Sequence, residues 1–164
     1  MRHCVVALIV CQQRVLLGHR APTRAFYPHV WDLFGGHPEP GEQPHETLVR
    51  ELGEELGIRA TTWAYLDTVA EPTPARYGPD QYHRYRVTAW EGTPANAQPQ
   101  EHVAIGWFSR AEALALDVAH PAIGRCSGGT SPPPSTLSIQ RRAPTPPDDK
   151  AGPRWGPCAN RTRT

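Results

Sequence analysis

The chain has 164 residues, which suits a single domain, and its 17 basic and 16 acidic side chains leave a net charge of +1. So small a charge produces no bulk field that would favour nucleic acid or an anionic membrane, and neither is predicted as a partner. Apolar residues make up only 38% and prolines number 19, which indicates that part of the chain does not pack. The four cysteines include no Cys-x-x-Cys pair, which favours a reducing, cytoplasmic compartment.

The first part of the chain predicts a pair of strands followed by a loop. Residues 4–10 form an apolar run rich in β-branched side chains, residues 12–13 a turn, and residues 14–18 a second short strand. The first run lacks a small-residue cleavage site and is too short to span a bilayer. Residues 21–30 contain two prolines and are predicted as a loop.

Residues 44–57 predict an amphipathic helix. Pro44 suits the first turn and Gly57 the position just after the helix. At helical spacing, one apolar stripe is formed by Leu48, Val49, Leu52 and Leu56. Three glutamates, at positions 51, 54 and 55, share a neighbouring face. These carboxylates are either well solvated or neutralised by a hard divalent cation such as Mg²⁺, and helical spacing alone leaves both interpretations open.

The complete pattern of residues 36–58 is more specific than the helix alone. It reads Gly-x5-Glu-x7-Arg-Glu-Leu-x-Glu-Glu-x-Gly-Ile. This sequence resembles the signature of the Nudix hydrolases at every fixed position, and in particular their MutT-like members. The resemblance implies an α/β fold, the Nudix α/β/α sandwich with a mixed sheet. It also implies an enzyme that uses Mg²⁺, or alternatively Mn²⁺, to hydrolyse a diphosphate linkage in a small nucleotide.

The resemblance assigns roles to individual residues. The expected metal ligands are the Gly35 carbonyl and the carboxylates of Glu51, Glu54 and Glu55, with Glu42 supporting them and Arg50 orienting them as part of the catalytic set. Either Glu54 or Glu101 is expected to take a proton from water, and the sequence leaves this choice open. Substrate binding is expected at Arg20, toward the phosphates, and at His120, toward the base.

The remaining sequence predicts three strands and a short helix. The strands are expected at 61–69, 82–90 and 103–108, and a Ser-Arg-Ala-Glu capping box at 109–112 opens the helix. Alternation over 82–90 favours a half-exposed strand with Arg84 and Arg86 on one side. Residues 71–79 are predicted as a Pro-rich loop, and residues 117–123 resemble the segment that closes over the base in MutT-like enzymes.

The prediction is a Mg²⁺-dependent hydrolase that converts nucleoside triphosphates, 8-oxo-dGTP or another altered nucleotide among them, to a monophosphate and pyrophosphate. A hydrolase of another nucleoside diphosphate-linked compound such as ADP-ribose, and a nucleotide sensor without turnover, remain alternatives. Residues 1–124 are expected to form the Nudix domain. Residues 125–164 are Pro-, Arg- and Ser-rich, and we expect them to be disordered and dispensable. Whether they are a native tail or the product of a reading-frame change stays open.

Overall fold

The structure, a computed structural model, describes residues 1–120 of the chain. Its strands are β1 (His3–Cys11), β2 (Arg14–Arg20), β3 (Trp31–Asp32), β4 (Phe34–Gly36), β5 (Arg59–Ala70), β6 (Gln81–Glu91) and β7 (His102–Ser109). Its helices are α1 (Pro44–Leu56), α2 (Pro74–Tyr77) and α3 (Arg110–Leu114). None of these helices is long and apolar enough to cross a membrane. The predicted tail and the end of the 117–123 loop lie outside the described residues.

The strands form a mixed sheet. Its central order is β3-β2-β1-β6-β5, while β4 pairs with β1 and β7 pairs with β2. Among the seven strands described, β1 and β6 form the one parallel ladder, and the other ladders are antiparallel. A parallel neighbour cannot be reached by a tight turn, so the long connection from β1 to β6 contains α1 and β5.

Side chains of β1 alternate between two apolar cores, one on each face of the sheet. Val5 and Ile9 belong to the core that α1 covers, whereas Val6 and Leu8 belong to the core that includes Ala113 of α3. The stripe of α1 is fully buried at Leu48, Leu52 and Leu56. A mixed sheet between two helical layers confirms the predicted fold.

The termini of α1 follow the sequence prediction. Pro44 lies in its first turn, and the backbone N–H of Gln43 donates to the Glu46 carboxylate at 2.8 Å. Gly57 adopts φ +67°, and its N–H returns to the carbonyl of Gly53 at 3.0 Å. This left-handed turn favours glycine because other side chains crowd the backbone there. These ends fix where the helix starts and stops, and therefore which side chains face β4.

Two local predictions need correction. The 71–79 segment is not only loop, because it contains the four-residue helix α2. The half-exposed strand predicted over 82–90 is wrong at Arg84, whose exposed fraction is 6%. Arg84 is buried because β6 lies between β1 and β5, where its Nε and Nη2 donate to the two carboxylate oxygens of Asp67, both at 2.6 Å.

Candidate active site

Arg50 stands at the centre of an acidic cluster on α1. Its Nε and Nη2 donate to the two oxygens of Glu42 at 2.9 and 3.0 Å. Its Nη1 donates to Glu51 Oε1 at 2.9 Å and lies 3.5 Å from Glu54 Oε2. The bonds from Arg50 lower the pKa of Glu42 to about 2, and the same pairing raises the pKa of Arg50. Both partners therefore stay charged, and Arg50 also pairs with the two further carboxylates of Glu51 and Glu54.

The same clamp ties the loop before α1 to the helix. The Thr47 hydroxyl and the Glu39 N–H donate to Glu42 Oε2 at 2.8 and 2.9 Å, and Arg50 Nη2 donates to the His37 carbonyl at 3.1 Å. Thr47 is fully buried. The loop and the helix consequently form one unit, in which Glu42 is the junction.

Glu55 is the buried carboxylate of the cluster, and Glu51 is partly buried. Glu55 is 4% exposed and accepts a hydrogen bond from the Gly35 N–H at 2.8 Å. Burial raises the pKa of Glu55 well above its usual range, and the charges of Glu51, Glu101 and Asp32 raise it further. Burial likewise raises the pKa of Glu51, with Glu54 and Glu101 adding to it. The cluster thus has more negative charge than its one arginine neutralises.

Two glycines of β4 allow this close approach. A Cβ on Gly36 would lie 2.1 Å from Glu51 Oε1, and a Cβ on Gly35 would lie 2.0 Å from the Val5 carbonyl oxygen. Gly35 also has φ +143°, a conformation that other residues rarely adopt. Gly36 therefore leaves the space into which the Glu51 carboxylate fits, and Gly35 lets β4 lie close against β1.

The cluster fits a hard divalent cation that keeps part of its water shell. Within residues 1–120, no three acidic, histidine or cysteine side chains stand together closely enough to hold a metal ion by themselves. Neighbouring negative charges nevertheless raise the pKa of both Glu51 and Glu55, and the Glu54 side chain beside them is 49% exposed. A hard divalent cation that binds through few carboxylates and retains several waters would suit this arrangement.

Glu101 lies just before β7, outside the helix, as predicted. Its carboxylate forms a 3.2 Å ion pair with Arg24, and its carbonyl accepts the Ala21 N–H at 2.8 Å. Its charge contributes to the raised pKa values of Glu51 and Glu55, so it lies within electrostatic reach of the α1 cluster. The fold thus brings a distant glutamate toward the helix.

Arg20 and His120 lie apart from the cluster. The Nη2 and Nε of Arg20 donate to the carbonyls of Phe26 and Tyr27 at 2.8 and 3.1 Å, and its Nη1 lies 3.3 Å from Asp32 Oδ2. In this structure Arg20 therefore holds the 21–30 loop, and its contact with phosphate stays a prediction. The Nε2 of His120 lies 3.1 Å from the carbonyl oxygen of Ala70.

His120 lines a cavity on the face of the sheet opposite α1, which we call the inner cavity. Its cavity volume is about 30 Å³, and its lining residues include Val6, Tyr27, Asp32, Tyr82, Arg84 and His120. Backbone bonds from the Trp31 N–H to the Asp117 carbonyl and from the Ala119 N–H to the Trp31 carbonyl, both at 2.9 Å, place His120 at its edge. The cavity is therefore built by β3, β6 and the segment after α3.

Sequence reasoning missed most of the polar groups of the inner cavity. Burial raises the pKa of Asp32, although Arg20 opposes the shift, and Tyr27 and Tyr82 contribute hydroxyl groups to the same region. The only sequence signal was the position of Asp32 immediately before the Nudix pattern. Tyr27 and Tyr82 are far apart in sequence and meet only through sheet pairing.

Comparison with known proteins identifies the class. The NUDIX domain family model matches residues 1–125. The chain is 35% identical over 119 residues to the CTP pyrophosphohydrolase of Escherichia coli K12, covering 73% of this chain and 84% of that protein. It is 34% identical over 89 residues to the 8-oxo-dGTP diphosphatase of Proteus vulgaris, covering 53% and 77%. The crystal structure of a MutT NUDIX hydrolase from Burkholderia pseudomallei superposes with a TM-score of 0.64 at 32% identity, covering 68% and 84%.

The chain therefore belongs to the Nudix family and is a Nudix hydrolase, which confirms the predicted family, fold and enzyme class.

Proposed function

We propose that this Nudix hydrolase converts nucleoside triphosphates to a nucleoside monophosphate and pyrophosphate with the help of Mg²⁺. The observation that carries the proposal is the α1 cluster, in which one arginine pairs with three glutamates and, within residues 1–120, the buried Glu55 has no cationic partner. The names of both sequence relatives specify a nucleoside triphosphate, which supports this substrate class.

The residues that would hold the metal are Glu51, Glu54 and Glu55 together with the Gly35 carbonyl, and Mn²⁺ is an alternative ion. A bound divalent cation neutralises polyphosphate charge and makes water a better nucleophile. Arg50 and Glu42 keep the carboxylates on one face of α1. The protein's part is to fix the acidic face against β4 so that little reorganisation is needed during the reaction.

We assign proton transfer from water to Glu54 rather than Glu101. The Glu54 side chain is 49% exposed, and its one ion pair, to Arg50, is 3.5 Å long. Glu101 is 29% exposed and is paired with Arg24 at 3.2 Å. A base must reach a water molecule and have an oxygen available for its proton, and Glu54 meets both needs better.

The inner cavity is the proposed site of the base, with Arg20 toward the phosphates and His120 at the base. The partly buried carboxyl of Asp32 lies in its wall and accepts hydrogen bonds. Guanine, adenine and cytosine have exocyclic amino groups that donate to such an oxygen, whereas thymine does not. We infer a preference for an amino-bearing base, and for 8-oxo-dGTP or another altered nucleotide over ADP-ribose.

The test is a substrate panel assayed for pyrophosphate release in the presence of Mg²⁺. The panel contains 8-oxo-dGTP, dGTP, dCTP, dTTP and ADP-ribose, and the last is assayed by release of monophosphates. We expect one of the amino-bearing triphosphates to have the highest kcat/KM. Asp32→Asn should lower kcat/KM for that substrate more than for dTTP. ADP-ribose as the best substrate would contradict the assignment.

A further inference from the structure

Tyr27 lies between two cavities. It lines the inner cavity, and it also lines a second, more open cavity of about 300 Å³ that we call the outer cavity. The other residues around the outer cavity include Pro28, Thr73, Arg76, Tyr77 and Val118. Among residues 1–120, Tyr27 is the one residue that lines both cavities, and this places it between them.

The hydroxyl end of Tyr27 is anchored to Glu71. Glu71 is 4% exposed and accepts hydrogen bonds from the hydroxyls of Tyr27 and Tyr82 and from Thr73, the last through both its N–H and its hydroxyl at 2.8 Å. Although burial alone would raise the pKa of Glu71, these donors lower it. Glu71 is therefore a charged acceptor that holds the ring of Tyr27 in place, which is a strong kind of hydrogen bond.

The backbone and ring of Tyr27 are held as well. Arg20 donates to the carbonyls of Phe26 and Tyr27, and the ring of Tyr77 lies 4.2 Å from the ring of Tyr27. Tyr27 and His29 adopt φ values of +49° and +62°, a conformation that non-glycine residues seldom occupy. Because these contacts hold the loop in this conformation, the ring of Tyr27 has a defined position and does not move freely.

We propose that Tyr27 determines the size of the base that the enzyme accepts, because its ring is the shared wall of the inner and outer cavities. This inference rests on the proposed function, which places the base in the inner cavity. With the ring present, the inner cavity has a volume of only about 30 Å³, which limits the room for the larger part of a bicyclic base. Without the ring, the two spaces join, and a larger bicyclic base gains room on the side of Tyr77.

The experiment measures equilibrium binding of nucleoside monophosphates, which reports on the base without any turnover. Dissociation constants for dCMP and dGMP are measured by calorimetry in the full chain with Mg²⁺ present, for the unmodified protein and for Tyr27→Ala. The preference for dGMP over dCMP should rise roughly tenfold or more in Tyr27→Ala, the range that size discrimination in a pocket usually gives.

Two matched variants separate the effect of removing the Tyr27 ring from the other effects of a substitution. Tyr27→Phe removes the bond to Glu71 but keeps the ring, so its preference should stay close to that of the unmodified chain. Tyr65→Ala removes a half-exposed tyrosine of β5 that lines neither cavity, and it should leave the preference unchanged. If Tyr27→Ala does not fold, as judged by circular dichroism, Tyr27→Leu still removes the ring and should shift the preference in the same direction.

An unchanged preference in a folded Tyr27→Ala or Tyr27→Leu protein overturns the inference. Absence of any monophosphate binding to the unmodified chain overturns it too, because the base would then not enter the inner cavity. Hydrolysis is scored separately. A chain that binds monophosphates with the expected shift, yet hydrolyses no triphosphate, refutes the proposed function and leaves the role of Tyr27 intact.

Discussion

Gly36 is the residue on which the position of Glu51 depends most directly. Because a Cβ there would lie 2.1 Å from Glu51 Oε1, Gly36→Ala should push the carboxylate away from β4. The displaced atom is the end of a flexible side chain, so we expect a small change in melting temperature. The value of kcat/KM should fall at least roughly tenfold, because displacing a catalytic group by about 1 Å lowers the rate far more than it lowers the stability. Steady-state kinetics and thermal melting of the same sample test this, and an unchanged kcat/KM would contradict it.

Glu54 should be far more important for rate than for stability. Glu54→Gln keeps the shape of the side chain but removes its charge and its basicity. Loss of a general base typically lowers the rate by roughly 10²–10⁴-fold. The melting temperature should hardly change, because the half-exposed pair with Arg50 is 3.5 Å long and such pairs contribute little.

Glu101→Gln is the matched control for Glu54→Gln. It should lower the rate less, since we assign the proton to Glu54. If Glu101→Gln shows the larger loss, the two assignments must be exchanged. A large drop in the melting temperature of Glu54→Gln with an unchanged rate would show instead that Glu54 is structural.

The sequence predicted the proximity of residues that share one helix. It did not predict the contacts of residues that are distant in sequence and meet only in the folded chain. Helical spacing placed Glu51, Glu54 and Glu55 together. In the structure Glu51 and Glu54 pair with Arg50, and Glu55 accepts the Gly35 N–H. Tyr27 and Glu71 are 44 positions apart and meet only because β6 lies beside β1. No local period encodes such a contact, so it could not be read from one sequence.

Helix α1 contains a glycine that its packing does not require. A Cβ at Gly53 would meet only the Ile58 carbonyl oxygen, at 3.9 Å. Glycine inside a helix is about 0.8–1.0 kcal/mol less favourable than alanine. Gly53→Ala should therefore raise the free energy of unfolding by up to about 1 kcal/mol, as measured by urea denaturation. A destabilised Gly53→Ala protein would show that a contact beyond the described residues occupies that side of the helix.

The strands were predicted more reliably than their surroundings. The predicted 61–69 and 82–90 segments are the longer strands β5 and β6, each recognisable from its β-branched and aromatic side chains. The burial of Arg84 was not predictable, because alternation shows which residues share a face but not which strands flank it. The charge is tolerated there since Asp67 provides both oxygens of its carboxylate.

For the whole domain, His102 makes stability depend on pH. Its exposed fraction is 2%, neither ring nitrogen has a hydrogen-bond partner among residues 1–120, and burial lowers its pKa to about 4. The unfolded chain, with an ordinary histidine pKa near 6.5, therefore binds more protons than the folded chain between these values. The contribution of neutral His102 to the free energy of unfolding is fully present above pH 6.5 and is lost as pH falls toward 4. The loss is at most about 3 kcal/mol.

The comparison with His102→Leu isolates this effect from the carboxylates that titrate in the same range. Urea denaturation at pH 7 and pH 4.5 should show a larger loss of stability for the unmodified chain than for His102→Leu. An apolar side chain suits the site, because replacing a buried imidazole without hydrogen-bond partners breaks no hydrogen bond. Equal losses of stability in both proteins would contradict this role of His102.

The domain boundary is a prediction about the whole molecule that the described residues do not test. We propose that residues 1–124 suffice for catalysis, because the glutamates and Arg50 of the α1 cluster and the polar side chains described for the inner cavity lie within residues 1–120. A chain that ends at residue 124 should keep the kcat of the full chain. Loss of activity or of solubility on truncation would place the boundary further along the sequence.

Metal dependence of triphosphate hydrolysis tests the central claim most directly. The full chain is treated with EDTA, dialysed, and assayed by phosphorus NMR with its best triphosphate before and after addition of Mg²⁺. We predict that hydrolysis disappears with the metal and returns with Mg²⁺ or Mn²⁺, and that the products are the nucleoside monophosphate and pyrophosphate. Hydrolysis at the full rate after EDTA treatment, or release of orthophosphate and a diphosphate instead, would contradict the account.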